Sequence, residues 1–217
     1  MLTKKELTTI IAGYKKFIRP NYYDAASRLS KELKVAKSKG KYDDLVRHIV
    51  KGWDDKKFSH QYRMTKKSME KAVIAMNGFN WNMNPVSMNF ESLYQDVERR
   101  MKGIPFCQGH LTIYDITKRI GLLYGIEPQS SVYLHRGAMV GAKRLLGKNK
   151  LPHTLLRTDF PSPLCNESSI FIEDILCVFK DTFLPISDKN HVKANTILGR
   201  NPSCNNPKSP RPKTDCC

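Results

Sequence analysis

Residues 90–112 read Phe-Glu-Ser-Leu-Tyr-Gln-Asp-Val-Glu-Arg-Arg-Met-Lys-Gly-Ile-Pro-Phe-Cys-Gln-Gly-His-Leu-Thr. Phe90, Leu93, Val97 and Met101 recur every three or four residues, which places them on one stripe of a helix with Asn89 as its cap. A glycine-containing turn follows. Thr112-Ile113-Tyr114-Asp115 then has the form of a capping-box start, and Ile116, Ile120 and Leu123 carry the helical period onward. Helix, turn, helix, with no run alternating at period two, sets the expected fold class as all-α.

The same signals extend in both directions. Thr3 and Glu6 form a capping box ahead of Leu7, Ile10, Ile11, Tyr14 and Ile18. Pro20 stops that helix, and Asn21 caps a second one that carries Ala25, Leu29, Leu33 and Ala36 and closes at Gly40. A third helix is expected from Asp43 to about Trp53, and a fourth from a Thr65 cap to Gly78. Residues 79–89 are Asn-rich and read as a loop and candidate boundary, with Trp81 and Met83 packed inward. Beyond Pro128, helix is expected from Val132 to Leu146, closed by Gly147. Residues 148–167 hold three prolines and read as a long loop, and Ser168 or Ser169 begins a last helix with Phe171, Ile175, Val178 and Phe179 apolar. The proline-rich remainder reads as disordered. The expected organisation is a multi-helix bundle: a basic helical region over 1–80, a core over 90–181 and a disordered basic tail over 182–217.

The chain has 217 residues, 40% apolar and 26% charged, enough to bury a core without disulfides. No apolar run reaches the roughly 18 residues of a membrane span, and no secretory signal opens the sequence, so a cytoplasmic location is expected. Lys and Arg number 37 against 20 Asp and Glu, a net charge of +17. Residues 1–72 carry 19 basic and 8 acidic side chains, which makes that third the electrostatic footprint. Such an imbalance points to an anionic partner, most simply nucleic acid, although basic patches also serve acidic proteins and membranes; no membrane partner is expected, since no apolar run is long enough to span one.

The turn between the two central helices is the most informative element. Glycines there let backbone N–H groups at a helix N-terminus approach a phosphate oxygen. Lys102 precedes the turn, Gly103, Ile104, Gly109, His110 and Thr112 form it, and Lys118 and Arg119 follow one to two helical turns on. Arg136, Lys143, Arg144, Lys148 and Lys150 extend the basic stretch as further phosphate contacts. Gly103-Ile104 and Gly109-His110-Leu111-Thr112, with Pro105-Phe106-Cys107-Gln108 as an insertion between them, resemble the helix-hairpin-helix DNA-binding element. Together with Val132-Tyr133-Leu134-His135 at a later helix entry, the stretch 90–147 more loosely resembles the helix-hairpin-helix DNA glycosylase superfamily. The resemblance implies DNA as the partner. It also implies lost base-excision chemistry, because the family's lysine nucleophile falls at Leu111 and its catalytic aspartate at Tyr133, and the four-cysteine cluster spacing is missing.

Other chemistry is sparsely supported. Cys107, Cys165, Cys177, Cys204, Cys216 and Cys217 include no C-x2-C pair, so free thiols are expected and neither a metal nor another cofactor is called for. His110 and His135 are the candidate catalytic residues, with Asp115, Glu173 or Asp174 as the carboxylate that would orient them. Tyr14, Tyr22, Tyr23, Tyr42 and Tyr62 stand among basic residues, where they either pack helices or stack on bases. P-loop and nucleophile-elbow motifs are absent. The first reading is a sequence-tolerant nucleic-acid-binding protein, without an assigned catalytic activity. Two others stay open: an interaction or regulatory module for an acidic protein partner, and a divergent DNA-processing enzyme.

Overall fold

Side-chain caps begin the helices at Thr3, Thr65, Asn89 and Ser168, where the sequence places them. The computed structural model describes residues 2–51, 64–84 and 87–183, the side chains of 21–26 and 29 excepted. The expectations for Trp53, Tyr62 and the tail from Leu184 lie outside the described residues. So do those for the side chains of Tyr22, Tyr23, Ala25 and Leu29. The described elements are α1 (Lys4–Phe17), α2 (Arg19–Ser38), α3 (Tyr42–Lys51), α4 (Lys66–Asn77), α5 (Phe90–Met101), α6 (His110–Tyr124), β1 (Ser131–Tyr133), α7 (Arg136–Leu146), β2 (Thr154–Leu156) and α8 (Ser169–Val178). The protein is mostly helical, and its described sheet has two strands.

Four expectations need correction. α2 starts at Arg19, so Asn21 lies inside it and does not cap it; Pro20 fits the first helical turn because an N–H there has no intrahelical acceptor. α6 starts at His110 with Gly109 as its cap, two residues before the Thr112 start expected, and Thr112 is buried in the first turn. The segment from Val132 is first a strand, and helix returns only at Arg136. Ser131, Val132 and Tyr133 pair antiparallel with Leu156, Leu155 and Thr154. Three-residue strands are too short for a period-two pattern to be read.

The chain forms two compact units that are not contiguous in sequence: Met1–Tyr23 with Gln129–Cys217, and Asp24–Pro128. The loop at 79–89, expected as a boundary, lies inside the second unit. There Phe79 and Trp81 are buried with ring centroids 4.6 Å apart, Met83 is buried, and Tyr124 donates its hydroxyl hydrogen bond to the Trp81 carbonyl. The second unit packs Leu45 and Ile49 of α3, Ala72 and Met76 of α4, the Phe90 stripe of α5 and Ile113, Ile116 and Ile120 of α6. Lys51 is almost wholly buried and forms an ion pair with Glu70, which also meets Arg47 at 3.5 Å.

The first unit is built around α8. Every residue of this helix is buried, including Glu173 and Asp174, so it has no solvent face. Leu7, Ile10, Ile11 and Tyr14 of α1, Val132 of β1 and Ala138, Ala142 and Leu145 of α7 join it in one core. Thr182 and Phe183, assigned to the tail by sequence, are buried as well. α7 approaches α8 through Gly137 and Gly141, one helical turn apart. A Cβ on Gly141 would collide with the Leu176 carbonyl oxygen and lie 2.8 Å from its carbon, while one on Gly137 would collide with the Cys177 sulfur. Cys177 is disulfide-bonded, unlike the free thiols Cys107 and Cys165.

Two stability measurements test this packing. Gly141→Ala forces α7 away from backbone that cannot yield, and such overpacking costs about 1–3 kcal/mol, or several degrees of Tm in a chain of this size. Gly109→Ser meets nothing within 4 Å, keeps a good cap residue and should leave Tm nearly unchanged or slightly raised; a loss equal to that of Gly141→Ala would contradict the close approach. The second test concerns Glu70, whose carboxyl is held below its usual value by the hydrogen bond from Lys51, against the opposing effect of burial. A depressed carboxylate stabilises above its unfolded pKa and loses that contribution as pH falls through the folded one. Glu70→Gln should therefore lower stability at neutral pH and flatten the acid limb of the stability profile, followed by circular dichroism.

Candidate nucleic-acid interface

Two inward side chains pin the α5–α6 turn. Ile104 is buried, and Cys107 is fully buried with its thiol toward the Ser68 carbonyl at 3.6 Å. Burial pushes the Cys107 thiol up to about 11, so it is a neutral packing group and not a nucleophile. Between these anchors the chain is turned outward. Lys102, Gly103, Pro105, Phe106, Gln108, Gly109 and His110 are exposed. Gly103 sits at φ +80°, in the left-handed region that glycine adopts without penalty, and its N–H donates to the Gln108 side-chain oxygen at 3.4 Å. Phe106 also has positive φ, at +64°, and its ring is 59% exposed.

α6 begins from this exposed turn with no side-chain cap, because its cap residue is Gly109 in extended conformation. A Cβ at Gly103 or Gly109 would meet nothing within 4 Å, so both positions are open to a ligand's approach. His110 is the first residue of the helix, and its Nδ1 lies 3.2 Å from the Tyr94 hydroxyl. That hydroxyl is pushed up to about 12, first by burial and then by Glu98, so it stays protonated at neutral pH.

The remaining predicted contacts separate into distinct surroundings. Lys118 is half-buried with its ammonium 5.7 Å from the centroid of the Tyr114 ring. Arg119, its neighbour, is buried and donates to the Ile49 carbonyl at 2.7 Å; it holds α6 to α3 and offers nothing to a phosphate. Ile104 and Thr112 likewise face inward. Arg136, Lys143, Arg144, Lys148 and Lys150 belong to the other unit. Arg144 is engaged by Asp181 and the Lys180 carbonyl, both at 2.8 Å. Lys143 is half-buried, and Arg136, Lys148 and Lys150 are exposed. Arg136 opens α7 and Lys148 follows its C-terminal cap, so the two stand at opposite ends of that helix.

The candidate catalytic histidines have different environments. His135 Nε2 lies against Glu173 Oε1, an ion pair when the imidazole is protonated, and the side chains are 5% and 1% exposed. A histidine beside a carboxylate is what general-base chemistry requires, but a pair this deep is closed to a solute of any size. Asp174 accepts a hydrogen bond from the Tyr14 hydroxyl at 2.7 Å. Both buried carboxylates of α8 thus have protein partners, as desolvated charges require. Among the described residues no three His, Cys, Asp or Glu side chains come together to hold a metal, and no helix is long and apolar enough to cross a membrane.

Compared with protein-family models, curated proteins and solved structures, the chain matches none.

The packing of the turn is checked by thiol labelling. In the native protein at pH 8, iodoacetamide should alkylate the half-buried Cys165 well before Cys107, with peptide mass mapping as the readout. Labelling of Cys107 at a similar rate would mean that the turn opens readily and that its anchor is weak.

Proposed function

We propose that this protein binds nucleic acid, with DNA favoured, by contacts to phosphate oxygens and without catalysing a reaction on it. The observation that carries the reading is the turn at 102–110. It is exposed, open at both glycines, flanked by Lys102 and His110, and leads into a helix whose N-terminus has no side-chain cap. Uncapped N–H groups and the positive end of the helix dipole both favour an anion there. The +17 net charge supplies the long-range attraction. The resemblance to the helix-hairpin-helix element supports DNA over other polyanions. Arg136, Lys148 and Lys150 are the exposed cations of the other unit that can add phosphate contacts. The absence of base-excision chemistry rests on Leu111 and Tyr133 at the positions where that resemblance would require Lys and Asp, and on the closure of the His135–Glu173 pair.

Gly109→Asp tests the proposal without damaging the fold. Asp is a better cap than Gly and should leave α6 as stable or slightly more so. Its carboxylate takes the place meant for phosphate and repels it. Fluorescence anisotropy with a labelled duplex of about 20 base pairs, a single strand and an RNA, each across a salt series, should show steep salt dependence for the native protein. The variant should bind at least tenfold more weakly with unchanged Tm. No binding of any nucleic acid near physiological salt would refute the reading and leave an acidic protein as the partner to seek.

A further inference from the structure

The densest exposed charge lies away from the turn, on α2. From Ser27 to Lys41 the chain carries Arg28, Lys31, Lys34, Lys37, Lys39 and Lys41 against a single acid, Glu32. At 100° per residue, Lys31 lies about 160° around the helix from Leu33. Leu33 is fully buried, Ser30 donates to the Leu122 carbonyl at 3.4 Å, and Lys37 lies over the Tyr124 ring at 4.4 Å. These three hold α2 against α6. The opposite side bears Arg28, Lys31, Lys34 and Lys39, all exposed and, among the described residues, in no ion pair.

From this arrangement we infer that the outer face of α2 is a second nucleic-acid contact, a track that follows the phosphates of a duplex without reading its sequence. The inference rests on the nucleic-acid reading above and adds the surface and the form of the ligand. From Arg28 to Ser38 the face runs about 15 Å along α2, the axial rise of four to five base pairs, with Lys39 in the turn just beyond. Its cations are mostly lysines, point charges suited to phosphate and not to the bidentate reading of a base edge. Among its described side chains α2 buries Leu33 and leaves Val35 as the exposed apolar residue of the track.

The experiment uses the full chain with Lys31, Lys34 and Lys39 all changed to Gln, a good helix former at exposed positions. Circular dichroism and Tm confirm that the variant folds. Its binding to two unrelated duplexes is compared with the native protein and with Gly109→Asp over a salt series. Removing one cation from a phosphate lowers the log–log salt slope by about 0.9, so the triple variant should lose roughly 2–3 from the slope and at least tenfold in affinity, equally for both duplexes. If the native protein binds and the triple variant keeps the full slope, the α2 track is overturned while the broader reading stands. If the native protein binds no nucleic acid, both fall. Tighter binding to anionic vesicles or to poly-glutamate than to duplex overturns the track in favour of a lipid or an acidic protein.

Discussion

The first unit depends on the burial of two adjacent carboxylates in one apolar helix. Glu173 and Asp174 cannot reach solvent from α8, so each must find a partner inside. His135 supplies one from the entry of α7, and Tyr14 supplies the other from α1. These two contacts bring two elements to α8, one of them from 160 residues away in sequence. They also fix its rotation, because a helix apolar on every side has no amphipathic stripe to choose its face. Gly137 and Gly141 follow from the same requirement: with His135 held against Glu173, the next turns of α7 must run close along α8, and only a residue without a Cβ fits.

That arrangement answers the question of chemistry raised by His135. A histidine and a glutamate in contact look alike whether they move a proton or hold a fold, and what separates the roles is access. Here the histidine is also the cap residue of α7, and its carbonyl accepts the Met139 N–H at 2.6 Å. Breaking a buried pair of this kind leaves an uncompensated charge and costs about 3–5 kcal/mol. The residue is therefore committed to structure by two separate interactions.

What the sequence discloses follows from how local the cause is. The caps at Thr3, Thr65, Asn89 and Ser168 are contacts between residues three apart, and they are legible. The start of α6 is not, because Gly109 caps through backbone conformation alone and leaves no side-chain signature, whereas Thr112 has the right chemistry in the wrong place. Nor does sequence say which of two neighbouring cations is available. Lys118 and Arg119 differ by 100° around α6, and that angle decides that one borders solvent while the other ties α6 to α3. The two-unit division is invisible for the same reason: it rests on α1 joining α7 and α8 across more than a hundred intervening residues.

Net charge is accordingly a poor measure of the surface a partner meets, and the two basic residue types are used differently. Seven of the nine arginines among the described residues are engaged by protein groups: Arg47, Arg99 and Arg100 by carboxylates, Arg119 and Arg157 by carbonyls, Arg144 by both, and Arg19 by the Phe171 ring. Arg28 and Arg136 are the exceptions. The planar guanidinium forms several directed hydrogen bonds at once, which makes it the better internal clamp. The side chains that remain outside are mainly lysines, whose charge is compact, hydrated and undirected. A surface of that kind attracts a polyanion strongly and discriminates weakly among base sequences, because discrimination needs the fork geometry that most of the described arginines already commit to protein groups.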